Sequence, residues 1–124
     1  MKSQNVIVEK SKTFAVRIVR LYRHLSERKN EYVLSKQVLR SGTSIGANVR
    51  EAQRAQSKKD FLAKLAIAEK EADETSYWLE LLVESGYLTK KQYASIYPEC
   101  EEIIKLLASI IIKSKHPQFI IHNS

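Results

Sequence analysis

A run of small residues inside a helical pattern constrains the fold of this chain more than any other feature of its sequence. From Arg40 to Ala52 the sequence reads Arg-Ser-Gly-Thr-Ser-Ile-Gly-Ala-Asn-Val-Arg-Glu-Ala. A glycine inside a helix costs about 1 kcal/mol relative to alanine, so two within one turn need a compensating role. We expect Ser41, Gly42 and Gly46 to let this helix approach a neighbouring helix closely. A groove that admits the backbone of a ligand is the alternative.

Apolar residues recur with helical periodicity in four segments, and no segment alternates as a strand would. Helix one begins near Ser3 or near Ser11, and its apolar face contains Ile7, Phe14, Ile18, Leu21, Tyr22 and Leu25. The polar segment 27–31 predicts the first loop, after which Ser35 is the expected N-cap of helix two. The buried line of helix two is predicted to be Leu34, Val38, Ser41, Gly42, Ile45, Val49 and Ala52.

Helices three and four carry clear start and stop signals. Ser57-Lys-Lys-Asp60 resembles a capping box, and Gly86 marks the end of helix three. The heptad seam of helix three is Phe61, Leu65, Ala68, Ala72, Thr75, Leu79 and Leu82. A second capping box, Thr89-Lys-Lys-Gln92, opens helix four, whose seam is Ile96, Cys100, Ile103, Leu107 and Ile110. Pro98 falls inside helix four and is expected to kink or interrupt it.

Short connections make successive helices antiparallel, so the expected fold is an all-α, up-down-up-down four-helix bundle over residues 1–115. Residues 116–124 are expected to form an irregular tail. A length of 124 residues, with 44% hydrophobic and 28% charged residues, is typical of one soluble globular domain. Cys100 is the single cysteine, which excludes an intrachain disulfide and favours the cytoplasm. Neither a signal peptide nor a membrane span is predicted.

Positive charge is concentrated in the first half of the chain. Residues 1–64 contain 15 Lys/Arg and 5 Asp/Glu, a net charge of +10, whereas residues 65–124 contain 6 and 9, a net charge of −3. This asymmetry suits a polyanionic partner or a head-to-tail assembly. The outer face of helix two and the start of helix three form the candidate phosphate-binding surface, which consists of Lys36, Arg40, Arg50, Arg54, Lys58 and Lys59. Helix one extends it through Arg17, Arg20 and Arg23, and ordinary solvation of an outward face is the alternative.

Helices three and four carry more apolar residues than one bundle core needs. The surplus predicts an oligomer interface, because monomers rarely expose a large apolar patch. Its members are Ile67, Trp78, Leu81, Tyr93 and Tyr97. A wide core stripe with a partly exposed Trp78 is the alternative. Within the run in helix two, Glu51 is expected to pair with a basic residue of another helix.

No pattern predicts catalysis. The pairs Glu71/Glu74 and Glu99/Glu102 have the Glu-x-x-Glu spacing of metal-dependent helical hydrolases, but their expected outward orientation makes them solvated carboxylates. The inward-facing Glu-x-x-His pairs of a di-iron bundle are absent from the sequence. Cys100 lies on a core line and is interpreted as packing. We therefore expect no enzymatic activity, no metal and no cofactor.

Several segments together resemble one protein family over nearly the whole chain. They are the run in helix two, Phe14-Ala-Val-Arg-Ile-Val-Arg-Leu-Tyr22, Asp60-Phe-Leu-Ala-Lys-Leu-Ala-Ile-Ala-Glu-Lys-Glu-Ala72, Glu74-Thr-Ser-Tyr-Trp-Leu79 and Gly86-Tyr-Leu-Thr89. The family comprises four-helix-bundle proteins encoded in intervening sequences of bacterial large-subunit ribosomal RNA. The resemblance implies an all-α bundle that forms homopentamers and has no established enzymatic activity. Distantly similar accessory variability proteins of diversity-generating retroelements bind a reverse transcriptase and nucleic acid through basic surfaces.

The sequence therefore predicts a non-enzymatic, basic, oligomeric accessory protein of the bacterial cytoplasm that binds nucleic acid. RNA is the expected target and the outer face of helix two the expected surface. The alternative is a homo-oligomeric scaffold that recruits another protein, with the charge asymmetry serving assembly only.

Overall fold

The structure is a computed structural model that describes residues 2–115, with side chains from Asn5 onward. Four α-helices and one π-helical turn make up this part of the chain. They are α1 (Lys2–Arg23), the π-helical turn (His24–Arg28), α2 (Leu34–Gln53), α3 (Lys58–Glu84) and α4 (Lys90–Lys115). Each helix packs on the next, and α1 packs on α4, which closes a four-helix bundle. The predicted all-α fold is confirmed, and the predicted tail, residues 116–124, lies outside the described residues.

The core is formed by the apolar lines that the periodicity predicts. Fully buried side chains come from all four helices, among them Phe14, Val38, Leu65 and Leu107. In the predicted seams of α3 and α4 every member is buried except Phe61, which is half-buried. Leu34 and Tyr22 are also half-buried, at the edges of their lines. Helical periodicity therefore identifies the buried face of each helix correctly.

The end of α1 differs from the prediction. The helix starts at Lys2, in agreement with the longer of the two alternatives. The predicted loop at residues 27–31 begins too early, because the backbone remains helical through Arg28 in the wider π form. The Ser26 hydroxyl donates to the Tyr22 carbonyl oxygen at 2.8 Å within this turn. The connection to α2 therefore covers residues 29–33, where Asn30 has a φ of 53°.

The start of α2 shows that Ser35 is not the N-cap. The helix begins at Leu34, and Ser35 lies buried within the first turn. The carboxylate of Glu31 accepts hydrogen bonds from the backbone N–H of Ser35 at 2.7 Å and of Val33 at 3.3 Å. A carboxylate satisfies these otherwise unpaired donors and also interacts favourably with the positive end of the helix dipole. Glu31 therefore performs the capping role that the sequence assigns to Ser35.

The ends of α3 follow their sequence signals. Ser57 Oγ accepts a hydrogen bond from the Asp60 N–H at 3.0 Å, as expected of an N-cap. At the other end Gly86 adopts a φ of 87°. Its N–H donates to the Val83 carbonyl at 3.3 Å, and the Tyr87 N–H donates to the Leu82 carbonyl at 2.9 Å. These two bonds form a Schellman motif, which explains why a glycine stands here.

At the start of α4 the predicted capping box is confirmed in both directions. The Thr89 N–H donates to Gln92 Oε1 at 2.9 Å, and the Gln92 N–H donates to Thr89 Oγ1 at 3.1 Å. Pro98 lies inside α4 but does not interrupt it, since the helix continues to Lys115. A kink at Pro98 stays a prediction.

The small residues of α2 lie where this helix meets both of its neighbours. A Cβ atom on Gly42 would lie 2.7 Å from Cγ1 of Ile18 in α1, and one on Gly46 would lie 3.3 Å from the backbone oxygen of Ser11. Ser41 faces α3 instead, and its Oγ is hydrogen-bonded to Thr75 Oγ1 at 2.9 Å. Ser41 and Gly42 are buried, so no ligand backbone can reach them. The run therefore sets a short distance from α2 to α1 and to α3.

Candidate nucleic-acid interface

Four exposed cations follow one another in sequence from the end of α2 to the start of α3. Arg50 and Arg54 are one helical turn apart and line the same shallow groove. Lys58 and Lys59 follow at the first two positions of α3. We call Arg50, Arg54, Lys58 and Lys59 the turn cluster. Lys36 is also exposed but lies about 21 Å from Arg50 along the helix axis, at 1.5 Å per residue.

Arg40 belongs to the contact between α2 and α3 rather than to an open surface. Its guanidinium forms ion pairs with Glu71 at 3.2 Å and with Glu74, both on α3. Glu74 also accepts a hydrogen bond from Trp78 Nε1 at 3.0 Å. Two carboxylates neutralise the charge that phosphate binding would need. We therefore leave Arg40 out of the candidate interface.

The other carboxylates of the Glu-x-x-Glu pairs bind cations of α1. Arg17 pairs with Glu99 at 2.6 Å, and Lys10 pairs with Glu102 at 3.0 Å. These contacts correct the expectation that the carboxylates of both motifs are simply solvated. They also use the charge of Arg17, which the sequence had suggested as an extension of the basic surface.

The turn cluster differs from these cations because its charges are not paired. Within the part of the chain that the structure describes, ion pairs hold Lys10, Arg17, Arg40 and Lys64, and none involves a member of the turn cluster. Glu51, the nearest carboxylate on α2, binds Lys64 of α3 at 3.3 Å. This pair confirms the expected partner of Glu51 on another helix. It leaves Arg50 and Arg54 exposed.

A groove between α1 and α2 adds a cation that the sequence analysis missed. Lys12 of α1 and Arg50 of α2 line opposite sides of this groove, whose volume is about 430 Å³. Its remaining lining residues are mostly small: Val8, Ala15, Thr43, Gly46, Ala47 and Glu51. Lys12 is a single charge on α1, and only the packing of α1 against α2 reveals that it lies beside Arg50.

Three of the residues predicted for an oligomer interface, Trp78, Tyr93 and Tyr97, pack within their own bundle. Trp78 donates to Glu74, which binds Arg40, so Trp78 lies on the α2 side of α3. Tyr97 of α4 donates to Glu80 of α3 at 3.0 Å and stacks on Tyr93, with 4.6 Å between ring centroids. Burial, together with repulsion from Tyr97, raises the pKa of Tyr93 to about 12. These three aromatic side chains pack half-buried against the core of their own bundle.

The outward surface of α3 nevertheless retains exposed apolar side chains. Ile67 is 41% exposed, and Tyr77, which the sequence analysis did not select, is 57% exposed. Tyr77 contacts the ring of Trp78 edge to face, with centroids 5.1 Å apart. Leu81 is half-buried. The bundle therefore leaves Ile67 and Tyr77 uncovered, whereas Trp78 and Leu81 are partly covered.

Chemistry at single side chains is limited in the described residues. Cys100 is buried, its thiol donates to the Ala72 carbonyl at 3.4 Å, and burial raises its pKa to about 12. Between residues 5 and 115, no three His, Cys, Asp or Glu side chains are grouped so that they could hold a metal ion. No helix of the described chain is both long and apolar enough to cross a membrane.

Comparisons with known proteins agree with this architecture. A model of the 23S rRNA-intervening sequence protein family matches residues 3–109. The chain is 60% identical to a protein of unknown function from the S23 ribosomal protein family of Bacteroides thetaiotaomicron, known from a crystal structure. The two structures superpose with a TM-score of 0.87, over 88% of this chain and 97% of the other. No curated protein matches the chain. The chain belongs to the 23S rRNA-intervening sequence protein family.

Proposed function

We propose that this protein is a non-enzymatic accessory protein of the bacterial cytoplasm that binds nucleic acid, with RNA as its target. The binding surface consists of the turn cluster and Lys12, which lines a groove with Arg50. A longer nucleic acid would also reach Lys36, about 21 Å away along α2. One observation carries this proposal: the ion pairs of the described residues use Lys10, Arg17, Arg40 and Lys64 and leave the turn cluster unpaired. Phosphates bound there would neutralise these cations, of which Arg50 and Arg54 share a groove with Glu51, Asp60 and Lys64.

The chemistry of the surface predicts how it binds. Lysine and arginine side chains contact phosphates and release condensed counterions, which makes affinity strongly dependent on salt. The aromatic side chains that would stack on bases lie elsewhere, at Tyr93 and Tyr97 between α3 and α4. Phosphate contacts position a nucleic acid but carry no sequence information directly. We therefore expect the protein to recognise the backbone and shape of an RNA rather than its sequence.

Fluorescence anisotropy with a structured RNA, a single-stranded DNA and a duplex DNA, across a salt series, tests this function. Arg50→Ala/Arg54→Ala should weaken binding and lower the salt slope by about 1.4 for a single strand, at about 0.7 per lost contact. Lys70→Ala/Lys105→Ala is the matched control, because it removes two exposed cations from α3 and α4. An equal loss in both variants, or no binding at low salt, would contradict the proposal.

A homo-oligomeric scaffold that recruits another protein is the second candidate. The exposed side chains of Ile67 and Tyr77 favour it, since a covering surface would remove their apolar area from water. The resemblance discussed above implies a pentamer. Sedimentation equilibrium of the wild type and of Ile67→Asp/Tyr77→Asp tests the interface. The scaffold is favoured if the wild type is an oligomer that binds no nucleic acid and the variant dissociates.

A further inference from the structure

We infer that a groove between α1 and α4 binds one nucleotide unit, a phosphate monoester linked to a planar base. The groove has a volume of about 480 Å³, within the range of about 300–1,000 Å³ that is usual for small-molecule sites. Its walls come from the C-terminal half of α1 and the first turns of α4, and it is lined by Arg17, Arg20, Leu21, His24, Leu88, Lys91, Gln92, Ser95 and Ile96. The turn cluster lies at the other end of the bundle. This inference therefore goes beyond the proposed function and does not rest on it.

The charge of the groove matches a dianion. Three permanent cations line it, Arg17, Arg20 and Lys91, and no carboxylate does. Glu99 neutralises Arg17, whereas Arg20 and Lys91 form no ion pair with any described residue. Two uncompensated positive charges suit a phosphate monoester, which carries a charge of about −1.5 to −2 at pH 7. The first turn of α4 contains no acidic residue, so its positive dipole end adds to this field.

The floor of the groove is apolar and preformed. Leu21, Leu88 and Ile96 belong to the hydrophobic core and expose only their edges. A base in the groove would contact these edges, and Gln92 and Ser95 supply polar groups at its side. Arg17 is held in place by hydrogen bonds to Ser95 Oγ at 2.9 Å and to the Ser95 carbonyl at 3.0 Å. The groove therefore combines a place for a ring with a place for a phosphate.

Within the described chain, His24 has an unpaired ring nitrogen beside the groove. It lines the groove, and its Nε2 is buried without a hydrogen-bond partner among the described residues. Such unsatisfied polar atoms cost free energy and are uncommon in native proteins. His24 also begins the π-helical turn that ends the first helix.

Only one of the two grooves between α1 and α4 has the charge of an anion site, namely the groove lined by Arg20 and Lys91. Farther along, α1 and α4 form a second groove that contains three carboxylates, Glu9, Glu99 and Glu102. Lys10 is the single cation that lines this second groove. Carboxylates repel a phosphate, so the second groove is unsuited to a nucleotide. The cationic groove therefore reflects a local change in chemistry along one helix interface.

Isothermal titration calorimetry with adenosine 5′-monophosphate tests the inference on the full chain. Arg20→Ala/Lys91→Ala should weaken binding about 100-fold, at about tenfold for each charge-assisted contact. Ser95→Trp should abolish binding by filling the groove. Both changes are at exposed positions, and unchanged circular dichroism would show that the fold is intact. Arg50→Ala/Arg54→Ala is the control: it removes the same charge from the turn cluster and should leave binding of the nucleotide within about twofold.

The ligand could be a free nucleotide or the 5′-phosphorylated end of an RNA, and a second titration separates the two. A 5′-phosphorylated tetraribonucleotide that binds in the same groove at least tenfold more tightly than the mononucleotide would identify the strand end as the source. Equal affinity would identify the free nucleotide. The inference is overturned if neither ligand binds at millimolar concentration, or if the groove variants bind as the wild type does. It is also overturned if adenosine without its phosphate binds equally well.

Discussion

Replacing Gly42 with alanine should destabilise the bundle, whereas the same change at Gly46 should leave its stability nearly unchanged. Both glycines face α1, but they meet different atoms. A methyl group on residue 42 would lie 2.7 and 2.8 Å from Cγ1 and Cγ2 of Ile18, which is fully buried. A methyl group on residue 46 would lie 3.3 Å from the Ser11 carbonyl oxygen.

The expected magnitudes follow from these distances. Carbon atoms pack favourably at about 3.5–4.0 Å, so the methyl group at residue 42 would overlap Ile18 by about 1 Å. Overpacking of this kind costs about 1–3 kcal/mol, and alanine regains about 1 kcal/mol of helix propensity. The net loss for Gly42→Ala should be about 1 kcal/mol, or about 4 °C in Tm for a chain of this length. At Gly46 the methyl carbon would lie 3.3 Å from a backbone oxygen, slightly inside ordinary van der Waals contact. A steric cost similar to the regained helix propensity of about 1 kcal/mol should keep the net change within about 0.5 kcal/mol.

Urea unfolding followed by circular dichroism, at one protein concentration, measures these differences. The decisive comparison places Gly42→Ala in an Ile18→Ala background. There the new methyl group enters vacated space, so alanine should stabilise the protein by about 1 kcal/mol through helix propensity. The reasoning is refuted if Gly42→Ala is equally destabilising in both backgrounds, or if it stabilises the wild type.

Three further predictions concern caps and titration. Glu31→Ala removes the acceptor that caps α2 and should cost about 1–2 kcal/mol in thermal unfolding, whereas Glu31→Gln, which keeps an acceptor, should cost less. Because its pKa is about 12, the Cys100 thiol should resist iodoacetamide at pH 8 until urea unfolds the protein; rapid labelling of the native state would contradict its burial. The folded pKa of Tyr93, about 12, exceeds its ordinary value of 10.0, so its stabilising contribution is complete below pH 10 and is lost as pH rises through 12. Tyr93→Phe should reduce this alkaline loss in urea titrations at pH 9 to 12.

The fold could be predicted because its signals are local. The seam of α3 is written in spacings of three and four residues, and these spacings record which face of the helix is buried. Gly86 and the Thr89–Gln92 pair mark helix ends through bonds that span no more than five residues. Neither the seam spacing nor the cap residues depend on where the other helices lie. Both can therefore be predicted from the sequence alone.

The candidate site was less predictable because it depends on the rotation of one helix against another. Arg40 lies on the outward face of α2, but its partners are 31 and 34 residues away on α3. The groove that joins Arg20 to Lys91 likewise has no counterpart in local spacing. The prediction that Ser35 caps α2 failed for a different reason: the carboxylate of Glu31, in the preceding loop, caps the helix in place of the serine that local preference favours.

The ion pairs between α1 and α4 have a consequence for the order in which the bundle forms. Arg17 and Glu99 are separated by 82 residues, so Arg17 has no ion-pair partner until the ribosome has synthesised Glu99. At about 5–20 residues per second this interval lasts about 4–16 s. During that time α1 can dock on α2, while the side of α1 that later receives α4 stays uncovered. The nascent protein therefore presents the basic residues of α1 without their acidic partners, and only the synthesis of α4 closes that surface.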